Sequence, residues 1–147
     1  MATMKAYALL RNDGGIEIMR TEVDPTLCIE KWPPERQAEL SGAVHEIVAV
    51  PADRSFRNAW EYGPTGISVN MTKARDLHRE SMRQARAPLL TKLDVNYIRA
   101  DESGKEIDKR TIVAHKQSLR DVTKDAGIDA AQTPDDLKKV WPSILNG

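Results

Sequence analysis

The sequence contains little cysteine, few aromatic residues and no excess of either charge. Its one cysteine, Cys28, cannot form an internal disulfide. Lysine and arginine together number 22, and so do aspartate and glutamate. The chain therefore has no net positive charge that would attract nucleic acid or an anionic membrane. The first apolar run, residues 6–10, is too short for a signal segment or a membrane span. We therefore expect a chain made in the cytoplasm that binds neither nucleic acid nor a membrane.

The composition limits the size of the hydrophobic core. Aromatic residues make up 5% of the chain and charged residues 30%, which predicts thin, solvated layers with narrow apolar faces. A length of 147 residues suits one domain, or a small domain with a helical appendage. Cys28 is expected to be a small buried hydrophobe, as free cysteines commonly are. A chain of this kind often completes its core with a partner.

The N-terminal half carries the turn signals of a small antiparallel β domain. Asp13-Gly14 lies between two apolar runs and supplies the positive φ angles that tight hairpin turns require. Strands are therefore predicted at residues 5–11 and 16–20. The other expectations are an irregular stretch at 23–32 around Pro25, a short helix at 35–40, a strand buried on both faces at 44–50, and a second hairpin formed by 56–62 and 67–69.

From Asn70 onward the spacing of apolar residues changes to that of a helix. Pro88 lies inside the apolar stripe and predicts a kink or a break, because it removes one backbone donor. Gly104 ends this helix, a second helix is predicted at 105–124, and the short loop makes the two helices antiparallel. The stripe of the first helix consists of Met71, Ala74, His78, Met82, Ala85, Leu89, Leu93, Tyr97 and Ala100.

The two helices are expected to meet through their apolar faces. The second helix carries its stripe at Ile112, His115, Leu119 and Val122. We expect these side chains to join the two helices: Leu89, Leu93, Tyr97, Ile112, Leu119 and Val122.

A last short helix is predicted near the C-terminus. Thr133 is its cap, Pro134 occupies the first helical position, and Pro142 lies beyond its end. The predicted fold class is therefore α+β. Residues 1–69 form a small antiparallel β domain with a short helical insertion, and residues 70–147 form a long antiparallel helical hairpin and a short C-terminal helix.

The sequence contains no motif typical of catalysis, metal binding or cofactor binding. His45, His78 and His115 lie far apart, without the pair spacing of a metal site. His78 and His115 fall on the inner stripes, where they are expected to be hydrogen-bonded packing residues that could face each other. Phosphate-binding loops, dinucleotide fingerprints and nucleophile elbows are also missing from the sequence. We therefore predict a protein that is not an enzyme, with no catalytic, cofactor-binding or metal-binding residues.

Four arginines follow one another along the first helix at spacings of three and four residues. Such spacing makes a cationic ridge that could contact phosphates, but Asp76, Glu80 and the balanced charge favour solvated pairs or contact with a partner protein. Two tryptophans could anchor a partner, or could be ordinary core aromatics. The predicted interface residues are Trp60, Arg75, Arg79, Arg83, Arg86 and Trp141.

Three ordered segments carry a family resemblance. They are FRNAW at 56–60, MTKAR at 71–75 leading to RAPLL at 86–90, and KQSLRD at 116–121 with Thr133-Pro134 downstream. This pattern resembles small proteins of tailed phages and prophages that are encoded near tail-fibre and baseplate genes. The resemblance covers residues 53–142, and its second half is similar to the C-terminal region of tail-fibre assembly chaperones.

The resemblance implies a minor structural component of a bacteriophage tail, in the baseplate or tail-fibre region. Such a protein is made in the bacterial cytoplasm and resides in the virion tail. Its implied partners are other tail proteins, the tail fibre or the baseplate, and further copies of the chain within the assembly, with the helical hairpin as the interface. The alternative is a tail-fibre assembly chaperone that is absent from the mature virion.

Overall fold

The chain folds into two compact units, one rich in strands and one helical. The computed structural model describes residues 3–147, and the units divide between Ala74 and Arg75. The predicted α+β class is confirmed, because an antiparallel sheet precedes a long helical hairpin and short C-terminal helices.

A three-stranded antiparallel sheet organises the first unit. Strands β1 (Lys5–Arg11), β2 (Ile16–Thr21) and β3 (Leu40–Ile47) pair in the order β2-β1-β3. The β1–β2 turn is built as predicted, since Gly14 has a φ of +86° and the Asp13 carboxylate accepts the Gly15 amide at 2.8 Å.

A second hairpin packs with this sheet. It consists of β4 (Trp60–Gly63) and β5 (Gly66–Val69), which confirms the predicted turn between them. The imidazole of His45 on β3 stacks on the Tyr62 ring on β4, with ring centroids 4.1 Å apart. The apolar cluster beneath the strands contains Ala6, Ala8 and Ile47, with Ile16, Ile18, Val50 and Ile67 packed against it.

The predicted boundaries around β3 are wrong by several residues. Helix α2 covers only Pro34–Gln37, whereas strand β3 begins at Leu40 and ends at Ile47. The cause is non-local, because the Asn12 amide donates to the Ala38 carbonyl at 2.7 Å and draws this stretch to the end of β1. Val48 is fully exposed, so the strand is not buried on both faces.

A short helix occupies the stretch that was expected to be irregular. Helix α1 covers Pro25–Ile29, with Pro25 at its first position. The Asp24 carboxylate accepts the Thr26 amide at 2.9 Å and so caps the helix. Cys28 is half-buried rather than buried, and its sulfur lies 3.5 Å from the Thr21 hydroxyl.

The long helix α3 runs without interruption over Met71–Glu102. Asn70 caps it, since its side-chain oxygen accepts the Lys73 amide at 3.1 Å. The break considered at Pro88 does not occur, and the chain stays helical on both sides of that residue. Packing of the apolar stripe on both sides of Pro88 outweighs the loss of one backbone donor.

Gly104 ends α3 through a left-handed turn. Its φ is +67°, its amide donates to the Asp101 carbonyl, and the Lys105 amide donates to the Ala100 carbonyl at 2.9 Å. Helix α4 (Glu106–Asp121) then returns antiparallel to α3. This direction follows from the ion pairs that join the two helices: Lys109 with Asp101, and Lys116 with Asp94.

The predicted inner faces of the hairpin are right for most residues. Leu119 and Val122 are buried, and the other four predicted contact residues are half-buried. His115 is exposed, however, and His78 lies far from it along the hairpin, so the two histidines do not face each other. The helical period placed His115 at the edge of the stripe, where a small rotation moves a side chain into solvent.

The C-terminal segment contains two short helices. Helix α5 (Ala126–Ala130) was not predicted, and helix α6 (Pro134–Lys138) begins as predicted, with the Thr133 hydroxyl accepting the Asp136 amide at 3.1 Å. Each of these helices contributes one buried aliphatic side chain, Ile128 and Leu137, and the 3-10 turn at Ser143–Asn146 contributes a third, Leu145. These side chains make the segment part of the core of the second unit.

Replacement of Gly104 by alanine should destabilise the hairpin. A Cβ atom is disfavoured at a φ of +67°, so we expect Gly104→Ala to lower the free energy of unfolding by about 1–2 kcal/mol. Urea unfolding followed by circular dichroism measures this change. Gly104→Asn is the matched control and should lose less, because asparagine tolerates the left-handed conformation. Equal stability of Gly104→Ala and the wild type would contradict the assignment.

Asp13 should titrate below its ordinary pKa. The Gly15 amide, and then the Arg11 guanidinium, hold the pKa of Asp13 below 3.8. The charged form therefore stabilises the folded state above about pH 4, and this contribution is lost as the pH falls through the folded pKa. Carboxyl-carbon NMR measures the midpoint. Asp13→Asn keeps the turn acceptor and should remove this part of the acid sensitivity, and an Asp13 midpoint at or above 3.8 would refute the prediction.

Candidate functional site

The arginine row on α3 points mainly into the second unit. Arg75 donates from Nε to the Ile128 carbonyl at 3.2 Å and from Nη2 to the Ala131 carbonyl at 2.8 Å. These carbonyls lie in the last turn of α5 and just beyond it, where helical carbonyls lack partners on their own helix. One guanidinium thus satisfies two acceptors, and its positive charge is favourable at this end of a helix.

Arg79 and Arg86 bind further carbonyls of the same chain segment. Arg79 donates to the Thr123 carbonyl at 3.1 Å and to the Asp129 carboxylate at 2.7 Å. Arg86 donates to the Arg120 carbonyl at 2.8 Å, near the end of α4. We call Arg75, Arg79 and Arg86 the arginine clasp, because together they hold residues 119–131 against α3.

Arg83 differs from the other arginines of the row. It forms an ion pair with Glu80 on its own helix at 3.2 Å, and its side chain is 49% exposed. The solvent-facing ridge indicated by the spacing is therefore interrupted, since three of its four guanidinium groups bind main-chain carbonyls of residues 119–131. The solvated pairs that were expected with Asp76 and Glu80 do form, but they are secondary to the carbonyl contacts.

The two tryptophans predicted as anchors lie inside their own units. Trp60 is 1% exposed, and its indole N–H is buried without an acceptor among residues 3–147. Trp141 is half-buried and donates from its indole to the Asn146 side chain at 3.1 Å. Trp60 is therefore a core aromatic, which was the alternative considered for it, whereas Trp141 is only partly buried and packs within its own unit.

His78 is a packing residue, as expected from its place on the stripe. The side chain is 6% exposed, and Nε2 lies 2.7 Å from the Val140 carbonyl. The Trp141 ring meets the imidazole edge-on, with centroids 5.8 Å apart. These contacts attach the chain after α6 to the first turns of α3.

The distal half of the hairpin exposes large aliphatic side chains. Ile107 is 78% exposed and Ile98 is 56% exposed. Sequence reasoning missed these residues because it followed only the inner stripes, although the signal was present as branched aliphatics at positions between the stripe residues. We use the name hairpin apolar surface for the exposed large aliphatic side chains of both helices taken together: Val95, Ile98, Ile107 and Val113.

Ion pairs join the two helices near the tip of the hairpin. The Lys109 ammonium lies 2.8 Å from the Asp101 carboxylate and 2.9 Å from that of Glu106. The hydrogen bonds to Asp101 and then Glu106 raise the pKa of Lys109 above its usual range. The contribution of these Lys109 contacts to folding stability is therefore fully present below the ordinary lysine pKa. It is lost only as the pH rises through the pKa of Lys109 in the folded state. The tip of the hairpin keeps this contact at neutral pH.

Comparison of the chain with protein-family models, curated proteins and solved structures finds no match. The phage-tail resemblance therefore depends on the three sequence segments alone. Within residues 3–147, no group of three or more histidine, cysteine or acidic side chains is placed to hold a metal ion. No helix in this part of the chain has the length and apolar character needed to cross a membrane.

Loss of a clasp arginine should destabilise the second unit. Arg79→Gln and Arg86→Gln each remove charge-assisted bonds to main-chain carbonyls, so we expect each to lower the free energy of unfolding by about 1–3 kcal/mol. Arg83→Gln makes the same chemical change on the same helix and should alter stability by less than about 0.5 kcal/mol. Urea unfolding measures all three. Equal losses in the three variants would show that the clasp contacts contribute no specific stability.

Proposed function

We propose that this chain is a non-enzymatic minor structural component of a bacteriophage tail, in the baseplate or tail-fibre region. The hairpin apolar surface serves as its interface with another tail protein. The observation that carries the proposal is the exposure of Ile98 and Ile107 on a hairpin whose loop and helix pairing are firmly fixed. The sequence resemblance supplies the assembly in which such an interface would act.

The hairpin apolar surface supports a protein partner on energetic grounds. Transfer of an exposed aliphatic side chain into an interface is worth about 1.5–3 kcal/mol when burial is complete. The ion pairs of Lys109 and Lys116 join the two helices that carry these side chains, so docking would not need to separate the helices. A rigid hairpin also loses little conformational entropy on docking.

The arginine clasp is not part of this proposed interface. Arg75, Arg79 and Arg86 already bind carbonyls of their own unit, so docking through them would break existing bonds. Of the originally predicted arginines, Arg83 remains the most accessible for contact with a partner. The proposed interface therefore lies toward the tip of the hairpin and not along the row of arginines.

The chaperone alternative assigns the same surface to a temporary partner. It draws on the similarity of the second half of the chain to the C-terminal region of tail-fibre assembly chaperones. In that case the hairpin would bind the fibre before assembly and leave before the virion is complete. Mass spectrometry of purified virions separates the two functions, because a structural component is present in mature particles and a chaperone is not.

A charge placed on the hairpin apolar surface should block incorporation. Ile98→Lys puts an ammonium group at a residue that is 56% exposed, so the isolated chain should keep its fold while the docked state must bury a charge. We expect at least about a tenfold loss of the chain from purified virions, measured by quantitative mass spectrometry. Val23→Lys is the matched control, at 55% exposure in the first unit, and should incorporate normally. Normal incorporation of Ile98→Lys would refute this interface, and absence of the wild-type chain from virions would refute the structural role.

A further inference from the structure

The first unit contains an open cleft of about 680 Å³ whose walls are mainly basic. It lies where the β1–β2 turn, the loop before β4 and the first turn of α3 come together. Two acidic side chains, Asp13 and Glu17, also line it, so the lining has an excess of three positive charges. The five basic lining residues are Arg11, Arg36, Arg54, Arg57 and Lys73.

Two of the five basic side chains neutralise both acids. Arg11 pairs with Asp13 at 3.2 Å and with Glu17 at 3.0 Å. Arg36 pairs with the second oxygen of Glu17 at 3.3 Å, and its guanidinium lies over the Trp32 ring at 4.0 Å from the centroid. Both carboxylates of the lining therefore form ion pairs on the sheet side of the cleft, and neither pairs with the other three cations.

The remaining three cations have no acceptor among the described residues. Arg54 and Arg57 come from the loop before β4, and Lys73 comes from the first turn of α3. The Arg54 guanidinium lies 5.8 Å from the centroid of the Trp60 ring, which limits where it can go. The Lys73 ammonium approaches the turn so closely that a Cβ atom on Gly14 would lie 3.3 Å from Nζ.

We propose that this cleft binds a multiply charged oxyanion, such as the diphosphate or tricarboxylate group of a small ligand. The volume is within the range of small-molecule sites. Arginine forks and a lysine ammonium are the groups that bind phosphate and carboxylate oxygens most strongly. The site is independent of the hairpin apolar surface, because every residue that lines it belongs to the first unit.

Convergence of the charges distinguishes the cleft from an ordinary solvated surface. The positive charges of Arg54, Arg57 and Lys73 repel one another because the concave wall brings them together. An anion bound between them would be attracted by all three and would offset this repulsion. The amide of Asn58 lies in the same wall and adds a neutral donor. The Trp60 indole N–H is closed off from solvent and is not counted among the ligand-binding donors.

Isothermal titration calorimetry of the full chain with pyrophosphate, and separately with citrate, tests the proposal. We expect at least one of these anions to bind with a Kd below about 1 mM. The affinity should fall as salt is added, because the contacts are ionic. Binding of pyrophosphate alone would identify a phosphate ligand, and binding of citrate would extend the site to carboxylates; both outcomes support an oxyanion site.

The double variant Arg57→Gln/Lys73→Gln removes two of the unpaired cations and should weaken binding by about tenfold or more. The matched control Arg20→Gln/Lys31→Gln makes the same change in net charge at two exposed residues of the same unit outside the cleft. It should change the affinity by about twofold or less, since distant exposed charges are screened. Equal weakening by the two double variants would overturn the site, because it would reduce the effect to overall charge.

A measurement on the wild-type chain avoids dependence on the folding of the variants. Pyrophosphate or citrate should shift the backbone amide signals of Gly15, Asn58 and Lys73 in a nitrogen–proton NMR spectrum. Shifts confined to other parts of the chain would refute the proposal. The absence of binding of either anion at about 1 mM would also refute it. Binding of a single-stranded oligonucleotide without either small anion would also refute it, because the ligand would then be a nucleic acid.

Discussion

Hydrogen bonding of arginine side chains to helix-end carbonyls is the interaction on which the second unit depends. Short helices such as α5 bury little apolar surface and leave most of their carbonyls without partners on the same helix. Guanidinium groups on α3 supply those partners and bring the chain after α4 back onto the long helix. The few buried aliphatic side chains of this segment can then complete a core that would be too small alone.

Local signals in the sequence predicted the parts of the fold that depend on backbone conformation. Asp13-Gly14 predicted the first hairpin, Gly104 predicted the end of α3, and Thr133 predicted the start of α6. The helices α1 and α5 were not predicted, although Asp24 and Asp125 each accept an amide two residues ahead, as an N-cap does. The cap signal was present in the sequence, but each helix is too short to show an apolar period.

The candidate sites were harder to predict because their contacts join distant parts of the chain. Arg75 meets a carbonyl 56 residues further along, and a row of arginines on a helical wheel gives no indication of such a partner. The basic cleft likewise combines Arg57 and Lys73 with a turn near the N-terminus. Ile98 and Ile107 differ in this respect, because both lie off the inner stripes and the helical period alone indicates their exposure. Spacing identified the charged residues, and tertiary structure decided what each of them contacts.

The clasp has a consequence for how the sequence of this region can vary. Arg75 and Arg86 recognise main-chain oxygens, and these are present whatever side chain the residue carries. An exposed position such as Arg120 can therefore change identity while the contact of its carbonyl with Arg86 is kept, provided that the backbone follows the same course. Two chains could share this architecture with little identity in residues 119–131. The arginines on α3, together with buried residues such as Ile128, would then be its most dependable sequence markers.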